Sequence, residues 1–186
     1  MDNLISIKLV LIGDSNTGKS IFTQYFSKAY EKLNFKEYHP SPYATFTGKI
    51  LVYNNKIYNL NIWDFVGDER YDSLARIFVK DAMMIFIFYN TYEKQTFERA
   101  KFFVEYTKKE CANKDCTYVL ISNKYDINFK SKNYDNIISD EEAIEFAEKN
   151  NLLFARLSIL EKYSNGVNEI LKKALESYIQ KKDIEK

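Results

Sequence analysis

Glycine, proline, cysteine and histidine are all scarce in this chain: five, two, two and one among 186 residues. With so little Gly and Pro, no linker or low-complexity stretch divides the sequence. Its length fits one domain that can bury about 70% of its unfolded surface. One His and two Cys do not make a clustered zinc site, and Cys111 and Cys116 read as reduced thiols rather than a disulfide. An excess of either charge is also missing. Lys plus Arg number 27 against 26 for Asp plus Glu, a net charge of +1, which leaves no overall field for nucleic acid or an anionic membrane. The longest apolar run, Ala82 to Tyr89, has eight residues, far short of the about 20 that a spanning helix needs. The start, Met1-Asp2-Asn3-Leu4, has no charged leader pattern and no Gly at position 2, so neither a secretory signal nor myristoylation is expected. The expected location is cytoplasmic.

What is present is an alternation of strand and helix patterns. Ile7, Leu9, Val10, Leu11 and Ile12 read as a buried strand. They run directly into Gly13-Asp14-Ser15-Asn16-Thr17-Gly18-Lys19-Ser20, a complete G-x-x-x-x-G-K-S phosphate loop, and a helix pattern follows from about Lys19 to Tyr30. Small residues let successive N–H groups close around phosphates at a helix N-terminus. Lys19 reaches the outer phosphates in such a loop, and the Ser20 hydroxyl is placed to ligate Mg²⁺. Further on, Phe46–Tyr53 and Ile57–Trp63 read as strands joined by an Asn54-Asn55 hairpin turn. Met83–Tyr89 and Thr117–Ser122 are continuous apolar strands, with a helix from Thr96 to Cys111 between them. Ser139-Asp140-Glu141-Glu142 is a capping box opening a helix to about Asn150. Leu152–Ser158 supplies a last strand, and Val167, Ile170, Leu171, Ala174, Leu175, Tyr178 and Ile179 stripe a final helix. The expected fold is α/β, a mostly parallel six-stranded sheet with helices on both faces and one antiparallel hairpin strand. The expected domain covers 1–182, with 183–186 as a short tail.

Two further motifs fall at strand ends, where such sheets bind ligands. Ile62-Trp63-Asp64-Phe65-Val66-Gly67 puts Asp64 within reach of a Mg²⁺ shell, and the side-chain-free Gly67 N–H can approach a terminal phosphate. Asn123-Lys124-Tyr125-Asp126 is a base-selecting element. The Asp126 carboxylate can accept from both N1–H and the exocyclic amine of guanine, a donor pair adenine lacks. Asn123 would hold the loop and the base edge, and the Lys124 stem would lie along the base.

Together, G-D-S-N-T-G-K-S, W-D-F-V-G-D-E-R-Y and N-K-Y-D resemble a Ras-superfamily small GTPase, most closely the Rab branch, over about Ser6 to Ile179. The resemblance implies a P-loop G domain that binds GTP/GDP with Mg²⁺ and acts in vesicle trafficking as a monomer. Its effectors, exchange factor and activating protein would be met through the switch regions. The implied nucleotide contacts are Gly13 to Ile21, Phe35, Tyr38, Ser41, Gly67, Asn123, Lys124, Asp126, Ser158, Ile159 and Leu160. Ser20, Ser41 and Asp64 are the implied Mg²⁺ residues. Lys19, Ser41, Gly67 and Asp68 are the implied catalytic positions. Pro40-Ser41-Pro42 resembles the first switch, Ser41 standing where the family has threonine. Phe46, Trp63 and Tyr71 match the aromatic triad that faces Rab effectors.

Four departures shape the expectation. Asp68 stands where the family carries the water-orienting glutamine. An ionised Asp only accepts hydrogen bonds and adds negative charge, so hydrolysis is expected to be slow. Ser158-Ile159-Leu160 replaces S-A-K. The stretch from Ser20 to Ser41 is longer than the norm. The tail Lys181–Lys186 has no prenylatable Cys, which makes membrane attachment indirect or dependent on a tail beyond this sequence. Two alternatives stay open: a GTP-locked scaffold that docks effectors, and another P-loop enzyme such as a nucleotide kinase.

Overall fold

The apolar run beginning at Ala82 feeds β4 (Met84–Asn90), a strand whose seven residues are all buried, as pairing on both edges and cover on both faces require. The structure is a computed structural model that describes residues 4–25, 44–123, 137–158 and 165–184. β1 (Ile5–Gly13) lies parallel to β4 on one side and to β3 (Lys56–Asp64) on the other. β3 is the return arm of a hairpin from β2 (Thr45–Tyr53), in unbroken antiparallel register from Thr45 opposite Asp64 to Tyr53 opposite Lys56. Asn54 and Asn55 turn it at φ 48° and 58°, the left-handed pair a two-residue hairpin loop takes. β5 (Thr117–Asn123) and β6 (Leu153–Arg156) extend the sheet in parallel, giving the order β2-β3-β1-β4-β5-β6. This is the six-stranded, mostly parallel architecture the sequence predicts.

Alternation along the strands sorts side chains onto two cores. Leu9 and Leu11 of β1 join Phe86, Phe88 and Ile121 beneath α1 (Lys19–Gln24) and α5 (Asn165–Ile184). Val10 and Ile12 join Ile85 and Ile87 against α2 (Asp72–Val79), α3 (Lys94–Glu110) and α4 (Asp140–Lys149). Each such side chain, fully buried, contributes about 1.5–3 kcal/mol. Phe22 of α1 meets Phe86 and Phe88 edge-on, with centroids 5.8 and 5.4 Å away. The helix after β1 therefore covers one face, while the helix after β3 covers the other. The two connections leave in opposite directions, and the carboxyl ends of β1 and β3 open the crevice in which such sheets take ligands.

Three details differ from the sequence reading. β6 stops at Arg156, short of Ser158. α5 continues to Ile184, into the segment read as tail. α2 is not predicted at all. Only Ala75 and Val79 of this eight-residue helix are buried, while Leu74 and Ile77 are exposed. Its position is fixed from outside, by Asp72 accepting from Arg99 Nη2 of α3 at 2.7 and 2.9 Å.

Candidate functional site

β1 ends on Gly13, which is paired with Phe88 of β4. Its φ of +147° and the 2.4 Å that would separate a Cβ from the Phe88 carbonyl oxygen demand glycine there. The loop beyond is braced internally: the Thr17 hydroxyl donates to Asp14 O at 2.8 Å and Ser15 N to Asp14 Oδ1 at 2.8 Å. Asn16 and Gly18 are left-handed, Gly18 as the residue before α1. Lys19 folds back across this loop and donates from Nζ to Gly13 O (2.9 Å) and Asp14 O (2.8 Å). It is 5% exposed. Burial lowers its pKa to about 8, against the pull of Asp64 and Asp14. Ile21 of α1 packs against the core and is half-buried.

Asp64 ends β3 level with Leu11 and is 3% exposed. The Ser20 hydroxyl lies beside its carboxylate, yet neither oxygen has a partner with full hydrogen-bond geometry. Desolvation raises the Asp64 pKa, with Ser20 and Lys19 acting in the opposite sense. A buried carboxylate without a bonded partner, next to a hydroxyl and an ammonium, is a hard-oxygen donor set that fits Mg²⁺. Gly67 rests directly on the loop. A Cβ there would lie 2.5 Å from Asp14 C and Ser15 N, and 2.6 Å from Lys19 Nζ.

Asp68 is engaged within its own turn. It caps a single 3₁₀ turn (Glu69–Tyr71), with Oδ1 accepting from Arg70 N at 3.0 Å. Arg70 Nε reaches both carboxylate oxygens at 3.0 Å, and Nη2 reaches Oδ2 at 2.5 Å. These bonds to Arg70 hold the Asp68 carboxyl down at about 2. The sequence motif contains Arg70, but nothing in the pattern alone assigns it this role.

Asn123 ends β5 and joins the third motif to the first: its Nδ2 donates to Thr17 O at 2.7 Å, and its buried Oδ1 has no partner. The sequence motifs leave Thr91, just past β4, without a role. Its hydroxyl lies 2.6 Å from Ser122 Oγ and donates to Asn123 O at 3.1 Å. Its one signal in the sequence is a polar Asn90-Thr91 step at the end of a buried strand. Ser158 lies just beyond β6, past Leu157, whose N–H donates to Ser122 O at 2.7 Å; the Ser158 Oγ is buried without a partner. Phe35, Tyr38, Ser41, Lys124, Asp126, Ile159 and Leu160 lie outside the described residues. On the outer face, Phe46 is 5.1 Å from Trp63, and Trp63 is 5.7 Å from Phe78, centroid to centroid. Phe46 is exposed, as are Tyr71, Leu74 and Ile77 of the segment that follows Asp68.

A G-x-x-x-x-G-K-S loop between β1 and α1, with a buried Asp at the end of the neighbouring strand, defines a P-loop nucleotide-binding domain. The Ras family profile matches residues 8–180. The chain belongs to the Ras family. It is 34% identical to the Ras-related protein RHN1 of Nicotiana plumbaginifolia over 157 residues, covering 84% of this chain and 74% of the relative. Identity is also 34% to the Ras-related protein Rab5 of Nicotiana tabacum, over 90% of this chain and 78% of that one. The Ras-related protein Rab-5A of Dictyostelium discoideum is 30% identical over 91% and 79% respectively. Family membership supports guanine-nucleotide binding and GTPase activity in general terms. Among the described residues, no helix is long and apolar enough to cross a membrane.

Proposed function

We propose that this chain is a Rab-like, Mg²⁺-dependent GTP/GDP switch of membrane traffic whose intrinsic hydrolysis is weakened at Asp68. The observation carrying the slow-hydrolysis reading is the Asp68–Arg70 pairing, which commits the carboxylate to capping a turn. A group held near pKa 2 is a poor acceptor for a proton from water near neutral pH, and it has no N–H with which to orient that water. Lys19 would place its ammonium on the outer phosphates, and an anion there would stabilise its protonated form. Ser20 and Asp64, joined by Ser41, would hold Mg²⁺, which neutralises developing charge on phosphate oxygens. Asn123 ties the base-selecting strand end to the phosphate loop, and Asp126 would choose guanine. Ser41 and Gly67 would order two loops in the triphosphate state and release them after hydrolysis. The exposed Phe46, Tyr71, Leu74 and Ile77 supply an apolar face for effectors, beside switches open to an exchange factor and an activating protein.

The test is the nucleotide recovered when protein purified from bacteria is denatured and the supernatant is chromatographed. A small GTPase hydrolysing at about 3–5 × 10⁻⁴ s⁻¹ would yield GDP. Recovered GTP is the expected result here. Asp68→Gln is expected to raise the single-turnover rate about tenfold or more; an unchanged rate would remove Asp68 from the explanation. The same pairing favours a second reading, a GTP-locked docking scaffold. It is separated from the first by whether any activating protein restores turnover.

A further inference from the structure

At the carboxyl end of β5 a buried hydroxyl pair fastens the last residue of the strand. Thr91, Ser122 and Asn123 are all buried, none more than 3% exposed. The Asn123 carbonyl accepts twice from Thr91, from its N–H at 3.2 Å and from its hydroxyl at 3.1 Å. Thr91 has one hydroxyl proton. With that proton on Asn123 O, the Ser122 hydroxyl donates the 2.6 Å bond between the two side chains. Ser122 is thus satisfied by Thr91, and Thr91 by Asn123, as burial requires.

The turn that presents Thr91 is itself held. Thr96 Oγ1 of α3 accepts from Asn90 N at 2.9 Å, Asn90 Oδ1 from Tyr92 N at 3.2 Å, and Asn90 O from Glu93 N at 3.0 Å. Three segments are tied to this fixed point. Thr91 O accepts from Ile138 N at 3.0 Å, just ahead of α4, and Ser122 O accepts from Leu157 N at 2.7 Å, next to Ser158. Asn123 Nδ2 donates to Thr17 O of the phosphate loop at 2.7 Å. Along β5, Val119, Leu120 and Ile121 are buried and apolar. Polarity returns at Ser122 and Asn123, where the chain leaves the sheet for the N-K-Y-D motif.

We propose that Thr91, backed by Ser122, is a positioning residue for base selection: it sets how the chain leaves β5 and so aims the N-K-Y-D motif at the guanine edge. A peptide unit is planar, so two bonds on the Asn123 carbonyl oxygen fix the orientation of the whole unit that leads into Lys124. A carboxylate that takes two hydrogen bonds from one base edge is intolerant of misalignment, because each bond weakens steeply away from its line. Thr91 acts through Asn123 and not by contact with the nucleotide. This role rests on the guanine-nucleotide switch proposed above, and adds to it a hydroxyl pair outside the three motifs.

The test compares the full chain with Thr91→Val, which keeps the shape and loses the hydroxyl, and with Thr91→Ser, which keeps the hydroxyl. Release of fluorescent GDP, and of a fluorescent non-hydrolysable GTP analogue, is followed after excess unlabelled nucleotide is added. Thr91→Val is expected to speed both releases by the same factor, about tenfold, because the base is common to the two. Preference for GDP over IDP, whose base lacks the exocyclic amine, should shrink in the same variant, and Thr91→Ser should restore both values. A lower melting temperature with unchanged release and unchanged GDP-over-IDP preference would overturn the proposal, since Thr91 would then only pack. Should Thr91→Val not fold, Ser122→Ala carries the same comparison with an expected factor of about three, and unchanged values there overturn the proposal equally. An unmutated chain that does not prefer GDP to IDP and ADP would strike the guanine reading and this proposal together; unchanged values confined to the variants strike this proposal alone.

Discussion

Lys19 shows how one side chain ties stability to ligand. Its pKa falls from 10.5 to about 8 in the folded chain because burial penalises the ammonium. Between those values the unfolded chain binds the extra proton, so this group's contribution to stability rises with pH from about 8 to 10.5. Below pH 8 the whole penalty is present, of order 3 kcal/mol. The nucleotide-free protein should therefore show a positive stability slope in urea titrations across that window, and Lys19→Met should flatten it. Gly67 makes a second residue-scale case. A methyl group there would sit 2.5 Å from the backbone of Asp14 and Ser15. Gly67→Ala is expected to weaken GTP binding about tenfold or more in a competition titration, and GDP binding much less. An equal loss for both nucleotides would mean that the loop itself had been damaged.

At the scale of elements, capping and turn chemistry predict stability directly. The Ser139 hydroxyl accepts from Glu142 N at 3.1 Å at the start of α4. Ser139→Ala should cost about 1 kcal/mol in denaturant melts, with the nucleotide site untouched. Elements of this kind were legible in the sequence because their cause is local: Ser139 three residues ahead of Glu142, two asparagines between alternating strands, an apolar run too short for a membrane. α2 was not legible, because it is only eight residues long and what holds it is an ion pair from Arg99, 27 residues away. The same holds within the site. The spacing announces Lys19, Ser20 and Asp64, since a phosphate loop needs those residue types in that order. The Asn123–Thr17 bond spans 106 residues and the Thr91–Ser122 bond 31, and only the folded sheet makes them neighbours. Asp68 was legible as a departure, while its partner Arg70 became visible through the turn that joins them.

For the molecule as a whole, the two cores share the sheet, and β4 lies deepest within it, paired to β1 and β5 and buried along its full length. Gly13, Asp64 and Asn123 each stand at the last residue of a strand, one step beyond that packed interior. Time separates what space has placed side by side. Amide protons of β4 should exchange with deuterium only through global unfolding, while those of residues 14–18 and 65–71 should exchange through far smaller openings and slow when nucleotide is added. Opening of those loops would thus leave the interior undisturbed.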